Sequence, residues 1–132
     1  MEYGLTVRGI IKNSHGEILI LKRHHKSKTN PLKWELPGGK IEKCEYFDEA
    51  LVREISEESN LKCEVGDFCE AVQDDFSHKR TVQLIMYMEN AEGNVKISDE
   101  HEDYMWADID TILTLDITSS LSKIIEKRNK II

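Results

Sequence analysis

At 132 residues, with 39% hydrophobic and 33% charged residues, the chain has the balance of a polar globular protein that buries about two-thirds of its unfolded surface. A formal net charge of −7 argues against a general nucleic-acid binder, which would carry a basic face. Cys44, Cys63 and Cys69 are odd in number and form no C-x-x-C pair, so free thiols in a reducing cytosol are expected, not a disulfide framework or a zinc site. Without a signal-peptide apolar region or a run near the ~20 residues that span a bilayer, the expectation is one cytoplasmic domain over residues 1–132.

Tyr3 to Lys12 and Glu17 to Lys22 are rich in Val, Ile and Leu and join through Asn13-Ser14-His15-Gly16, which predicts a hairpin. Ile18-Leu19-Ile20-Leu21 is apolar on both faces, as in a strand covered on both sides. No acid lies between Ile18 and Trp34, yet five Lys or Arg do, a local reversal of sign in an acidic protein. Such a loop either clamps a polyphosphate or is simply solvated. Arg23, directly after the strand, is the candidate phosphate ligand, since guanidinium binds phosphate bidentately.

Trp34-Glu35-Leu36 reads as a short strand entering a Pro37-Gly38-Gly39 turn, where glycines let a ligand approach the main chain. A helix follows, about Glu45 to Ser59, then a strand from Leu61 to Val65. Phe68–Phe76 and Arg80–Glu89 form an expected antiparallel pair. Ala91 to Asn94 reads as a turn and Val95–Ile97 as a short strand. Ser98 to Trp106 is an acidic loop ending in tryptophan, and Asp108 is placed to cap a short helix over Ile109–Leu113. The last helix, about Ile117 to Lys130, carries Ile117, Leu121, Ile124 and Ile125 at amphipathic spacing.

The central helix carries the chemistry. Residues three and four apart share a helix face, so Glu54, Glu57 and Glu58 form a carboxylate cluster, with Ala50, Glu54 and Glu58 in one row. Phe47, Ala50 and Leu51 point to the same side, so the acids continue the apolar stripe instead of opposing it. Carboxylates held this close repel one another unless a cation joins them, and hard divalent cations such as Mg²⁺ favour oxygen ligands shared with phosphates.

This stretch resembles the Nudix box, Gly-x5-Glu-x7-Arg-Glu-U-x-Glu-Glu-x-Gly-U, where U is a bulky aliphatic residue. Gly39, Glu45, Arg53, Glu54, Ile55, Glu57, Glu58 and Leu61 stand at its spacing, and only Asn60 replaces a specified glycine. Asn is the next most tolerated residue for a left-handed helix end, so the departure leaves the helix intact. The resemblance implies an α/β (α+β) fold, a Nudix-type α/β/α sandwich with a mixed β-sheet. It implies a metal site of Glu54, Glu57 and Glu58, a main-chain carbonyl of Gly38 or Gly39, and Glu100 by likeness to the family's Glu-His-x4-Trp pattern. Mg²⁺ is the implied cofactor, with Mn²⁺ able to stand in.

The implied reaction is attack of water on a diphosphate linkage, with Glu54 first and Glu100 second as general base. Glu57 is a firm ligand, and Arg53, its i,i+4 partner, orients acids. Glu45 is favoured at the helix N-terminus and is placed to bind the turn. The readings that follow are a nucleoside triphosphate pyrophosphohydrolase, an ADP-ribose or dinucleoside polyphosphate hydrolase, and a non-catalytic nucleotide-binding module. The intact carboxylates favour an enzyme on a small nucleotide. Trp34, Phe76 and Tyr87 are aromatic candidates for base stacking that otherwise belong to the core. Membrane and stable nucleic-acid partners are not expected, and the resemblance admits a homodimer.

Overall fold

The computed structural model describes residues 1–76 and 78–127, with the Phe76 side chain left aside. In chain order the elements are β1 (Glu2–Ile10), β2 (Ile18–Arg23), β3 (Trp34–Glu35), β4 (Gly38–Lys40), α1 (Phe47–Ser59), β5 (Lys62–Phe76), β6 (Lys79–Glu92), β7 (His101–Ala107), α2 (Ile109–Ile112) and α3 (Ser119–Lys127). Two sheets form, ordered β4-β1-β6-β5 and β3-β2-β7. The β1–β6 pair is parallel and the other pairs are antiparallel, so the strand set is mixed.

Strand alternation sends side chains into two cores. Val7, Ile11, Leu19 and Leu21 pack with Ala50, Leu51 and Ile55 of α1. Ile10, Ile18 and Ile20 pack with Ile112 of α2 and Leu121 and Ile124 of α3. Ile18 to Leu21 are all fully buried, as a strand covered on both sides requires. At about 1.5–3 kcal/mol for each buried aliphatic side chain, these layers hold α1 and α3 on opposite sides of the strands. The α/β/α arrangement implied by the box is what the chain adopts.

Several local expectations are corrected. β1 and β2 are not a hairpin: Asn13 to Gly16 does turn the chain, with Lys12 bridging Ile18, but the strands part into different sheets. Both strands have two apolar faces, so each gains more by serving both cores than by pairing with the other. Leu61–Val65 and Phe68–Phe76 merge into one long β5, whose register shifts near Lys62, Val65 and Phe68 absorb the break that the sequence suggested. Val95–Ile97 is no strand; Val95 and Ile97 pack on the α1 core and the Lys96 N–H donates to Ser59 O. The acidic stretch after Glu100 is strand β7, not loop, because it pairs with β2 along its length. The last helix starts at Ser119, with Ile117 bridging Trp34 ahead of it; the expected residues beyond Lys127 lie outside the described part.

Other expectations match. The Asp108 side chain caps α2 by accepting from the Thr111 N–H. Asn60 ends α1 in the left-handed conformation, at φ 67°.

Candidate active site

The end of α1 is fitted against β4, and two glycines make the fit. Gly38 has φ +150°, and a Cβ there would stand 2.0 Å from Val7 O, so β4 lies flush on β1 only without a side chain. Its N–H then reaches Glu58 Oε1 at 2.8 Å. A Cβ on Gly39 would stand 2.5 Å from the Glu54 carboxyl carbon, so this glycine makes room for that acid. The turn expected at Pro37-Gly38-Gly39 therefore continues directly into a paired strand.

Arg53 organises the acids outside this contact. Its Nε and Nη2 donate to the two Glu45 oxygens at 2.7 and 3.0 Å, and its Nη1 donates to Glu54 at 3.1 Å and Glu57 at 3.3 Å. Glu45 also accepts the Glu42 N–H at 3.0 Å, so it ties the turn to the helix. The hydrogen bond from Arg53, then the one from Glu42, hold the Glu45 carboxyl below its ordinary range. The Arg53–Glu57 contact read from the i,i+4 spacing is present. Phe47 departs from the stripe: it is exposed, and the buried face begins at Ala50.

Glu54, Glu58, Glu100 and Gly39 line one cavity of about 560 Å³, with Arg8, Arg23 and Glu35 also in its wall. Glu57, more than half exposed and turned toward Arg53, is not among the lining residues. Glu58 and Glu100 come together with His101, one ligand atom from each lying within 4.8 Å of the others. A larger cleft, about 750 Å³, runs between the outer face of α1 and the start of β5. Of the candidate site residues it touches only Arg53; its acids are Asp48, Glu49 and Glu64. The smaller cavity is the one that gathers Glu54, Glu58, Glu100 and Gly39.

The cavity contains two buried carboxylates in opposite electrical settings. Burial works against ionising Glu35, but Arg8 nearby, the His101 hydrogen bond and Arg23 hold its carboxyl at about 2. Glu58 is pushed up to about 9 by burial, with Glu35 and Glu100 adding to the rise against the Gly38 N–H and Arg8. Burial also raises Glu54, with Arg53 opposing. A buried carboxylate with one hydrogen-bond donor and acidic neighbours needs a proton or a cation. Hard oxygen donors of this kind suit Mg²⁺ or a similar divalent ion, so the residues present fit the group that the box implies.

Sequence reading missed Arg8, Glu35 and His101. Arg8 donates from Nε to Gln83 Oε1 and from Nη1 to Leu36 O, both at 2.8 Å. His101 Nε2 lies 2.9 Å from Glu35 Oε2, and its buried Nδ1 has no hydrogen-bond partner among the described residues. A signal existed in the sequence, because Arg8 and Glu35 are charges set singly inside apolar strands. Arg23 reaches the cavity, but not as a free clamp. It donates to Thr29 O, Glu35, Ser27 Oγ and Thr29 Oγ1 at 2.7–3.0 Å, closing its own loop. Trp34 is buried in the core and Tyr87 packs against the same cluster.

A NUDIX domain profile matches residues 2–127, and the chain belongs to the Nudix family. It is 31% identical over 114 residues to an ADP-ribose pyrophosphatase of Methanocaldococcus jannaschii, covering 82% of this chain and 63% of that relative's length. It is 31% identical over 101 residues to a CTP pyrophosphohydrolase of Escherichia coli K12, covering 76% of this chain and 73% of the relative. The crystal structure of a MutT protein from Methanosarcina mazei Go1 superposes with a TM-score of 0.89 at 31% identity, over 96% of this chain and 92% of that one. Among the described residues no helix is long and apolar enough to cross a membrane.

Proposed function

We propose that the protein hydrolyses a diphosphate linkage in a small nucleotide derivative, with Mg²⁺ as cofactor. The observation that carries this is Glu58: a carboxylate only 4% exposed, facing Glu54 and Glu100 across a cavity whose other wall holds Arg8 and Arg23. That arrangement sets anions for a cation beside cations for phosphate oxygens. Glu54, Glu58 and Glu100, with the Gly39 main chain, would hold the ion, and Glu57 would join them by turning from Arg53 at the helix surface. When bound, a divalent cation neutralises phosphate oxygens and makes water more acidic.

The rest is the work of side chains. Glu54, whose basicity is raised by burial, accepts the proton of the attacking water at a carboxylate oxygen, and Arg53 fixes its direction. Glu100 is the second candidate for that role. Arg8 and Arg23, anchored on Glu35, offer fixed positive charge to the phosphates.

Within this class the reading is a nucleoside triphosphate pyrophosphohydrolase: water and triphosphate give monophosphate and pyrophosphate. The likeness to a CTP pyrophosphohydrolase and to a MutT protein supports it, and the polar recess beside the cavity, lined by Asp74, Thr81, Gln83, Thr118 and Ser120, offers donors and acceptors to a base. The ADP-ribose pyrophosphatase relative favours hydrolysis of ADP-ribose as the second reading. The test is incubation with Mg²⁺ and nucleoside triphosphates, oxidised ones included, ADP-ribose and diadenosine polyphosphates, with products separated by chromatography. Turnover of a triphosphate to monophosphate and pyrophosphate, abolished by EDTA and reduced about 10²-fold or more in Glu57→Gln and Glu58→Gln, is expected. Nucleotide binding without turnover of any compound would overturn the enzyme in favour of a binding module.

A further inference from the structure

The loop after β2 carries a second cluster that the hydrolysis reading does not use. His24 and His25 are adjacent in sequence, yet their rings stack, with centroids 4.3 Å apart and planes at 26°. Glu102, from the neighbouring β7, meets them: its Oε1 accepts the His25 N–H at 2.6 Å and lies 3.1 Å from His25 Nδ1. One ligand atom from each of the three residues lies within 4.8 Å of the others. None of the three lines the carboxylate cavity.

We infer that His24, His25 and Glu102 form a second cation site, selective for a borderline transition ion of the zinc or copper class. Donor chemistry sets the selectivity: imidazole suits zinc, copper and nickel, whereas the all-oxygen set around Glu58 suits magnesium. The donor spacing is near what such an ion needs, and the stacked rings turn apart to aim their in-plane lone pairs at it. Donors about 2.1 Å from a tetrahedral ion stand about 3.4 Å apart, so the triangle closes by no more than about 1.4 Å. The loop gives up one exposed contact, the Lys26 N–H bonded to His24 Nδ1 at 3.1 Å. An ion at Nδ1 takes that lone pair, and an ion at Nε2 shifts the ring proton from Nε2 to Nδ1, which ends the same contact.

The consequence reaches the catalytic cavity. The His24 N–H donates to Glu100 O at 3.1 Å, and Glu102 lies two residues further along the same segment. An ion on this triad therefore fastens the basic loop to the segment, just ahead of β7, that carries Glu100 into the cavity.

Copper(II) added to the full chain in excess Mg²⁺, followed by electron paramagnetic resonance, tests the assignment independently of turnover. The expected spectrum shows coupling to two imidazole nitrogens. His25→Ala reduces it to one, and Glu102→Gln weakens binding by about tenfold or more. Nitrogen coupling that persists in a His24→Ala/His25→Ala double variant, or copper held by oxygen donors alone, would overturn the site.

Discussion

Glu35 and Glu58 are buried to nearly the same depth, at 3% and 4% exposure, and the chain treats them in opposite ways. Glu35 is surrounded by Arg8, Arg23 and His101 and is held at about 2. Glu58 has one backbone N–H and acidic company and is pushed up to about 9. Burial alone therefore does not decide what a carboxylate does. Glu35 has its countercharge inside the chain and is architectural. Glu58 has none of comparable strength and is left to take its positive charge from outside, as a proton or as a metal ion.

The most damaging way to break this contrast is to remove Glu35. Glu35→Gln leaves Arg8 and Arg23 without their shared anion, and the expected loss of unfolding free energy is about 3 kcal/mol or more in a urea melt. Glu58→Gln, without divalent metal, replaces a protonated acid by an amide that keeps the Gly38 bond, so its cost is under about 1 kcal/mol. Equal losses would erase the distinction. The acid limb sharpens it: because the Glu35 carboxyl is lowered from 4.5 to about 2, its stabilisation is complete above about 4.5 and disappears as pH falls through about 2.

A smaller effect follows from Gly39→Ala. The added Cβ meets the Glu54 carboxyl, so kcat is expected to fall about tenfold while the urea midpoint moves little. A large loss of stability with unchanged kcat would show that the glycine serves packing instead. Arg53→Ala is expected to be milder in stability, since Arg53 works at the helix surface, with kcat reduced a few-fold as Glu54 loses its orientation. Unchanged kcat would remove the orienting role.

What the sequence made legible was local. The Arg53–Glu57 spacing, the left-handed Asn60 and the Asp108 cap each depend on a few neighbouring residues, and each was readable. The network around Glu35 joins residues 8, 23, 35, 83 and 101, which no periodicity connects. The false hairpin between β1 and β2 has the same origin. A turn between two apolar strands predicts pairing, and only the two-sided burial of both strands reveals that they serve different sheets. Arg23 shows the limit at a single residue: its place by the cavity followed from the sequence, but Ser27, Thr29 and Glu35 had claimed its donors.

The most direct test of the central claim is the unfolding free energy of the wild-type protein and Glu58→Gln between pH 5 and pH 9, in EDTA and in Mg²⁺. Glu58 is raised from 4.5 to about 9 in the folded state, so the folded protein binds the extra proton in this window. In EDTA, wild-type stability is predicted to fall as pH rises across it. Mg²⁺ should restore stability most at the alkaline end, and Glu58→Gln should show neither the decline nor that part of the rescue. Parallel pH profiles for the two proteins, with no difference in their response to Mg²⁺, would contradict the account.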